Sequence, residues 1–157
     1  KEVFPSFSME LTKEIKQFIE SLPFGFTLWE RRNGKLYSVY RTAASEKLIK
    51  IKRDEFLGKE FYECYPNAPA NYKDRFFRVL DKGEVWKVDE FRFVAKNRKD
   101  LFRFTSFKVD KDVVGVIIEP VKKCMKIIND GTQCSNTSVI GNFCMKHALD
   151  QLRKKGI

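Results

Sequence analysis

Residues 86–119 contain three closely spaced segments, WKVDEFRFV (86–94), LFRFTSFKV (101–109) and VVGVIIE (113–119), separated by AKNRKD and DKD. Aromatic and β-branched side chains crowd each segment and the breaks are short and polar, which predicts three sequential antiparallel strands joined by hairpins. Pro120 has no N–H to offer a ladder and ends the third. Strict alternation fails in the first two. Trp86 and Val88 share one parity and Phe91 and Phe93 the other, while Phe102 and Phe104 give way to Phe107 and Val109. A bulge or strong twist is expected in each, with large apolar groups reaching both sheet faces. In the third strand Val114, Val116 and Ile118 alternate with Val113, Gly115 and Ile117. Both of its faces are apolar, so it belongs in the interior of a sheet.

Upstream, Leu11, Ile15, Phe18, Ile19 and Leu22 recur at helical spacing, with Ser8 and Thr12 as capping residues and Pro23 as the stop. This predicts an amphipathic helix over about 9–21. Gly25 then opens the strand FTLWE, Arg31-Arg-Asn-Gly34 carries the Asn-Gly signal of a tight hairpin, and KLYSVYR returns. Short helical turns follow at 42–51 and 53–58, FYECYP runs to breaks at Pro66 and Pro69, and Tyr72, Phe76, Val79 and Leu80 make one helical face ahead of Gly83. Two strands, several helices and three strands give an α+β fold, a five-stranded antiparallel sheet with helices on one face. The expected organisation is an N-terminal helix (1–21), a central domain (22–121) and a tail (122–157).

The chain has 157 residues, is 43% hydrophobic and contains 15 Phe, enough for one compact core and an appendage. No apolar run approaches the roughly 20 residues of a membrane helix, and the N-terminus lacks a secretory pattern, so a cytoplasmic location without membrane contact is expected. The first residue is Lys1 rather than Met, as in a processed chain or a piece of a longer one. A formal charge of +10 favours acidic partners, but the lysines are scattered, which also suits a merely solvated surface.

The element order, with Leu22-Pro-Phe-Gly25, Phe56-Leu-Gly-Lys59 ahead of Tyr65-Pro66, and Phe77-Arg-Val-Leu-Asp-Lys-Gly-Glu84, resembles a PAS domain over residues 20–121. Many PAS domains have an asparagine after the second strand; here Tyr40-Arg41-Thr42-Ala43 stands there, so the local cap must differ. The resemblance implies a sensory and signalling module, a small-ligand cavity between sheet and helices, and a homodimer formed through the N-terminal helix and the outer sheet face, acting on a downstream protein partner. Phe24, Phe26, Tyr40, Phe61, Phe76, Phe91 and Phe104 are the aromatics that would line such a pocket; the same residues equally suit ordinary core packing. Haem held by an axial histidine is disfavoured, because the sole histidine, His147, lies outside the domain. Cys64, in Tyr62-Glu-Cys-Tyr65, lacks the Asn-Cys-Arg context of flavin photoreceptors and reads as a small buried hydrophobe.

Cys124-x9-Cys134-x9-Cys144-x2-His147 supplies three thiolates and an imidazole, the complement of a closed, structural zinc site. Gly131 and Gly141 set a turn three residues before the second and third cysteines, and Cys144 and His147 lie one helical turn apart. The pattern resembles a short Cys–Gly–Cys–Gly–Cys–His zinc-binding motif found appended to assorted proteins. A disulfide would leave one cysteine over, and metal would supply much of the tail's folding energy. Lys122, Lys123, Lys126, Lys146, Arg153, Lys154 and Lys155 around the ligands make a nucleic-acid-binding regulator the alternative reading. With no phosphate loop and no nucleophile motif, an enzyme is not expected.

Overall fold

The strand with two apolar faces takes the middle of the sheet. The computed structural model describes residues 10–95, 98–121, 139–140, 143–144 and 153–156, with only the backbone for 93–95, 98–100, 139–140 and 143–144. The chain divides into two compact units, Lys1–Pro120 and Val121–Ile157. The first runs α1 (Lys13–Glu20), β1 (Gly25–Arg32), β2 (Lys35–Arg41), α2 (Ala43–Ile49), α3 (Arg53–Phe56), α4 (Phe61–Cys64), α5 (Tyr72–Lys82), β3 (Trp86–Ala95), β4 (Arg98–Asp110) and β5 (Val113–Pro120). Its five strands form an antiparallel sheet in the order β2-β1-β5-β4-β3. This is the architecture of a PAS-like α+β fold. No described helix is long and apolar enough to cross a membrane.

Local chemistry accounts for the joints. Asn33 (φ 48°) and Gly34 (φ 71°) both adopt the left-handed conformation, the requirement of the two-residue turn between β1 and β2. Thr12 caps α1, its Oγ1 accepting from the Ile15 N–H at 3.3 Å, so the helix begins later than the periodicity alone suggests; Ser8 lies outside the described residues. Thr42 fills the position where many PAS domains have asparagine, and its Oγ1 accepts from both Ser45 N and Phe26 N, capping α2 and fastening it to β1. The sequence reading assigned no helix to FYECYP, yet α4 forms there, started by a reciprocal capping box between Glu60 and Glu63.

In β3 the irregularity falls where parity changes; in β4 it does not. In β3 the register against β4 shifts between Val88 and Phe91, and Trp86, Val88 and Phe91 all pack against the inner core. The bulge therefore absorbs the parity change and keeps these side chains on one face, where the alternation alone had split them between two. The side chain of Phe93 lies outside the described residues. In β4 the change is real. Phe102 and Phe104 belong to the inner core, Phe107 to the outer, and the shift comes later, between Lys108 and Asp110. Gly115 makes room for this arrangement: a Cβ there would stand 2.8 Å from Val109 Cγ2 and 3.0 Å from the Phe107 ring.

The two faces carry separate cores. Helices α2–α5 contribute Ile49, Phe56, Phe61, Cys64, Phe76, Val79 and Leu80 to the inner one, against Trp29, Phe104 and Val116 of the sheet. On the outer face Leu11 and Ile19 pack with Phe26, Leu28 and Val113, so the N-terminal helix covers its own sheet. Its stripe is divided by this packing. Ile15 and Phe18 remain 42% and 66% exposed.

In the second unit β6 (Val139–Ile140) pairs antiparallel with β7 (Phe143–Cys144), and a helical turn at 153–154 ends at Gly156 (φ 73°).

Candidate functional site: an apolar cavity and a buried arginine

On the inner face of β1, Thr27 and Trp29 point under the helices while Phe26 and Leu28 point away, the ordinary consequence of strand alternation. With Phe91, Phe102, Phe104, Val116 and Ile118 of the other strands they form the sheet wall of a partly open cavity of about 30 Å³, faced from the helical side by Ile49, Phe61, Tyr65 and Phe76. The walls are held by ring contacts. Trp29 meets Phe61 edge-on at 5.3 Å, Phe61 meets Phe76 at 5.2 Å, and Phe91 meets both Tyr65 and Phe104 at 5.8 Å. Each such pair adds about 0.5–1.5 kcal/mol beyond the burial of its area.

Of the aromatics predicted to line a pocket, Phe61, Phe76, Phe91 and Phe104 come together here. Three do not. Phe26 points to the outer face. Tyr40 joins it there, because the β1–β2 register shifts between Leu28 and Trp29 and turns Tyr40 opposite Leu28. Phe24 is half-buried ahead of β1 and is not among the lining residues. Sequence reasoning missed Trp29, Tyr65 and Phe102; the alternation within FTLWE, carried two residues further from Thr27, would have found the first.

Arg41 ends β2 and is only 1% exposed. Its Nη2 donates to Tyr65 Oη at 3.1 Å and Ser45 Oγ at 3.3 Å, and its guanidinium carbon lies 4.7 Å from the centre of the Phe56 ring and 5.8 Å from that of Trp29. Nη1 has no hydrogen-bond partner among the described residues. The charge is thus held by aromatic faces and hydroxyls, a costly arrangement for a buried cation. Neighbouring Cys64 is a free buried thiol, pushed up to about 12 by burial, with the Arg41 charge opposing that rise. It is protonated at neutral pH and is no nucleophile.

From Arg41 a polar line leads to α1. The Arg41 carbonyl accepts from Arg53 Nη1 at 3.3 Å, and the same nitrogen donates to Glu20 Oε1 at 3.1 Å. Glu20, the last residue of α1, also accepts from Tyr40 Oη (2.8 Å) and from the Ala43 N–H at the start of α2 (3.0 Å). Burial alone would raise the Glu20 carboxyl, but the Ala43, Tyr40 and Arg53 donors together hold it below the ordinary carboxylate range. Burial, reinforced by the bond to Glu20, pushes Tyr40 up to about 12.

Of the predicted zinc ligands, Cys124, Cys134 and His147 lie outside the described residues, and only the backbone of Cys144 is described, in β7. Lys122, Lys123, Lys126 and Lys146 also lie outside them, whereas Arg153, Lys154 and Lys155 are exposed.

No protein-family model matches the chain, and no curated protein matches it. Solved structures do. The PAS domain of nitrogen regulation protein NR(II) from Vibrio parahaemolyticus is similar at a TM-score of 0.57 and 12% identity, over 70% of this chain and all of that one. A LOV protein from Rhodobacter sphaeroides is similar at 0.58 and 12%, over 69% of this chain and 65% of that one. The photoactive yellow protein domain of the sensor histidine kinase Ppr from Rhodospirillum centenum is similar at 0.55 and 13%, over 66% and 91%. At such identities these likenesses establish the PAS-like fold.

Proposed function

We propose that this chain is a sensory, signalling module of PAS type, without catalytic activity, in which occupancy of the inner cavity changes how firmly α1 is held on the outer face. The observation that carries this reading is that Arg41 joins the cavity wall to the end of α1, its guanidinium bonded to Tyr65 and its main-chain carbonyl to Arg53, which in turn holds Glu20. Because Glu20 also holds the start of α2, a shift of Tyr65 has a polar route to the helix that bears the exposed Ile15 and Phe18. Those two residues are the contact through which α1 would meet a second copy, giving a homodimer. The test is amide hydrogen exchange of α1 in the unmodified chain and in Phe104→Leu, which alters the cavity wall but touches neither Arg53 nor Glu20. A change confined to α1 and α2 supports the reading; α1 protection that merely tracks global stability sinks it.

The tail is proposed to fold on one structural zinc ion held by Cys124, Cys134, Cys144 and His147. The thiolate-rich donor set supports this, as does the β6–β7 pair, which brings the chain back on itself just where the third cysteine stands. Metal analysis of chelator-free protein should return one equivalent per chain. The alternative, nucleic-acid binding through the basic residues of the tail, predicts duplex affinity that falls steeply with salt.

A further inference from the structure

We infer that the cavity takes an uncharged, apolar molecule of only a few heavy atoms, of the size of dioxygen or a short hydrocarbon, and excludes both water and larger cofactors. This rests on the reading of the cavity as the sensory site. Size comes first. About 30 Å³ is open to the centre of a water-sized sphere, room for a molecule of a few heavy atoms and short of a flavin or haem ring system. The wall chemistry then narrows the class. Apart from Thr27 every lining residue is aromatic or aliphatic.

The wall holds two hydroxyls, each with one acceptor site occupied: Thr27 Oγ1 accepts from Trp29 Nε1 at 2.9 Å, and Tyr65 Oη accepts from Arg41 Nη2 at 3.1 Å. A water needs two to four polar partners and has at most these two hydroxyls in an otherwise apolar wall, which favours a dry space. Charge is excluded from both sides. No charged side chain lines the space, so an ion of either sign would lose its hydration with no counter-charge in the wall. What remains is a small neutral molecule bound by dispersion against aromatic faces.

Xenon is the probe, applied under pressure to the full chain while carbon–proton methyl spectra are followed. The methyls of Ile49, Val116 and Ile118 should shift and saturate, and those of Val113, which pack on the opposite face, should stay at the bulk-solvent response. Val116→Leu, one methylene larger, should abolish the saturable shift with the fold retained; Val116→Ile serves if the first variant fails to fold. Lining methyls that follow Val113 linearly overturn the inference, as do water–methyl Overhauser effects inside the cavity. Native mass spectrometry separates the two levels of failure. A co-purifying organic molecule of flavin size would keep the sensory reading and sink the small-ligand class, whereas neither xenon nor any retained molecule would sink both.

Discussion

Among the described residues the inner face of the sheet is roofed by four helices and its aromatic side chains interlock, while the outer face is covered by one helix of eight residues that leaves Ile15 and Phe18 exposed. The difference separates two jobs. Dense burial makes the inner face the main source of stability and of a shaped cavity, while the smaller outer core is expected to release its helix at lower cost. Glu20 and Arg53 stand where the two meet.

If the inner face carries the stability, Phe76→Ala should have the largest effect. Phe76 is 2% exposed and touches Phe61, Trp86 and Phe104. A loss of about 3–5 kcal/mol is expected in chemical denaturation, enough to consume much of a domain's stability. A loss under about 1 kcal/mol would mean that the inner core is loosely packed and the contrast between the faces is false.

Arg41 sharpens the contrast from within. Its charge has no carboxylate partner among the described residues and its stacking on Phe56 and Trp29 depends on a flat guanidinium. Arg41→Lys should therefore cost more than Arg41→Met, by about 2 kcal/mol, since lysine keeps the buried charge and loses the planar stack. The reverse order would show that the charge itself is what the site needs.

Most of the frame was legible in sequence because it rests on local signals: Asn33-Gly34 for the hairpin, Gly83 for the end of α5, and the double apolar alternation of 113–118 for the central strand. Placement of pocket residues was less so. A bulge moves every later side chain to the other face; the parity change announces the one at Val88/Phe91, but the shift at Leu28/Trp29, which turns Tyr40 outward, depends on cross-strand pairing that no window of sequence contains. Arg41 was invisible for a related reason. An arginine near a strand end reads as solvated, and only the convergence of Phe56, Trp29 and Tyr65 from separate segments buries it.

The polar latch is expected to contribute on the order of 1–2 kcal/mol to the docking of α1, read as faster amide exchange in Glu20→Gln. Its pH dependence has a definite sign. The folded Glu20 carboxyl titrates below the unfolded value of about 4.3, so its contribution is complete above about pH 5.5 and is lost as pH falls through the depressed folded value. α1 exchange should accelerate over that acid range in the unmodified chain and stay level in Glu20→Gln. Equal slopes in both would place the titrating group elsewhere.

The smallest effect on stability belongs to the surface of α1, and there the consequence for assembly is greatest. Ile15 and Phe18 stand outside the outer core that Leu11 and Ile19 complete, so replacing both with Glu removes no core side chain of the monomer and should alter its stability by no more than about 1 kcal/mol. In a dimer the same change sets charges into an apolar contact on both copies at once, because a two-fold interface presents each residue twice. Light scattering at micromolar concentration should then report a dimer for the unmodified chain and a monomer for the double variant, with unfolding midpoints that differ only through the concentration dependence of the dimer. A monomer in both would leave Ile15 and Phe18 as exposed residues of a helix that merely shields its own sheet, and the outer face would lose its claim to be the signalling side.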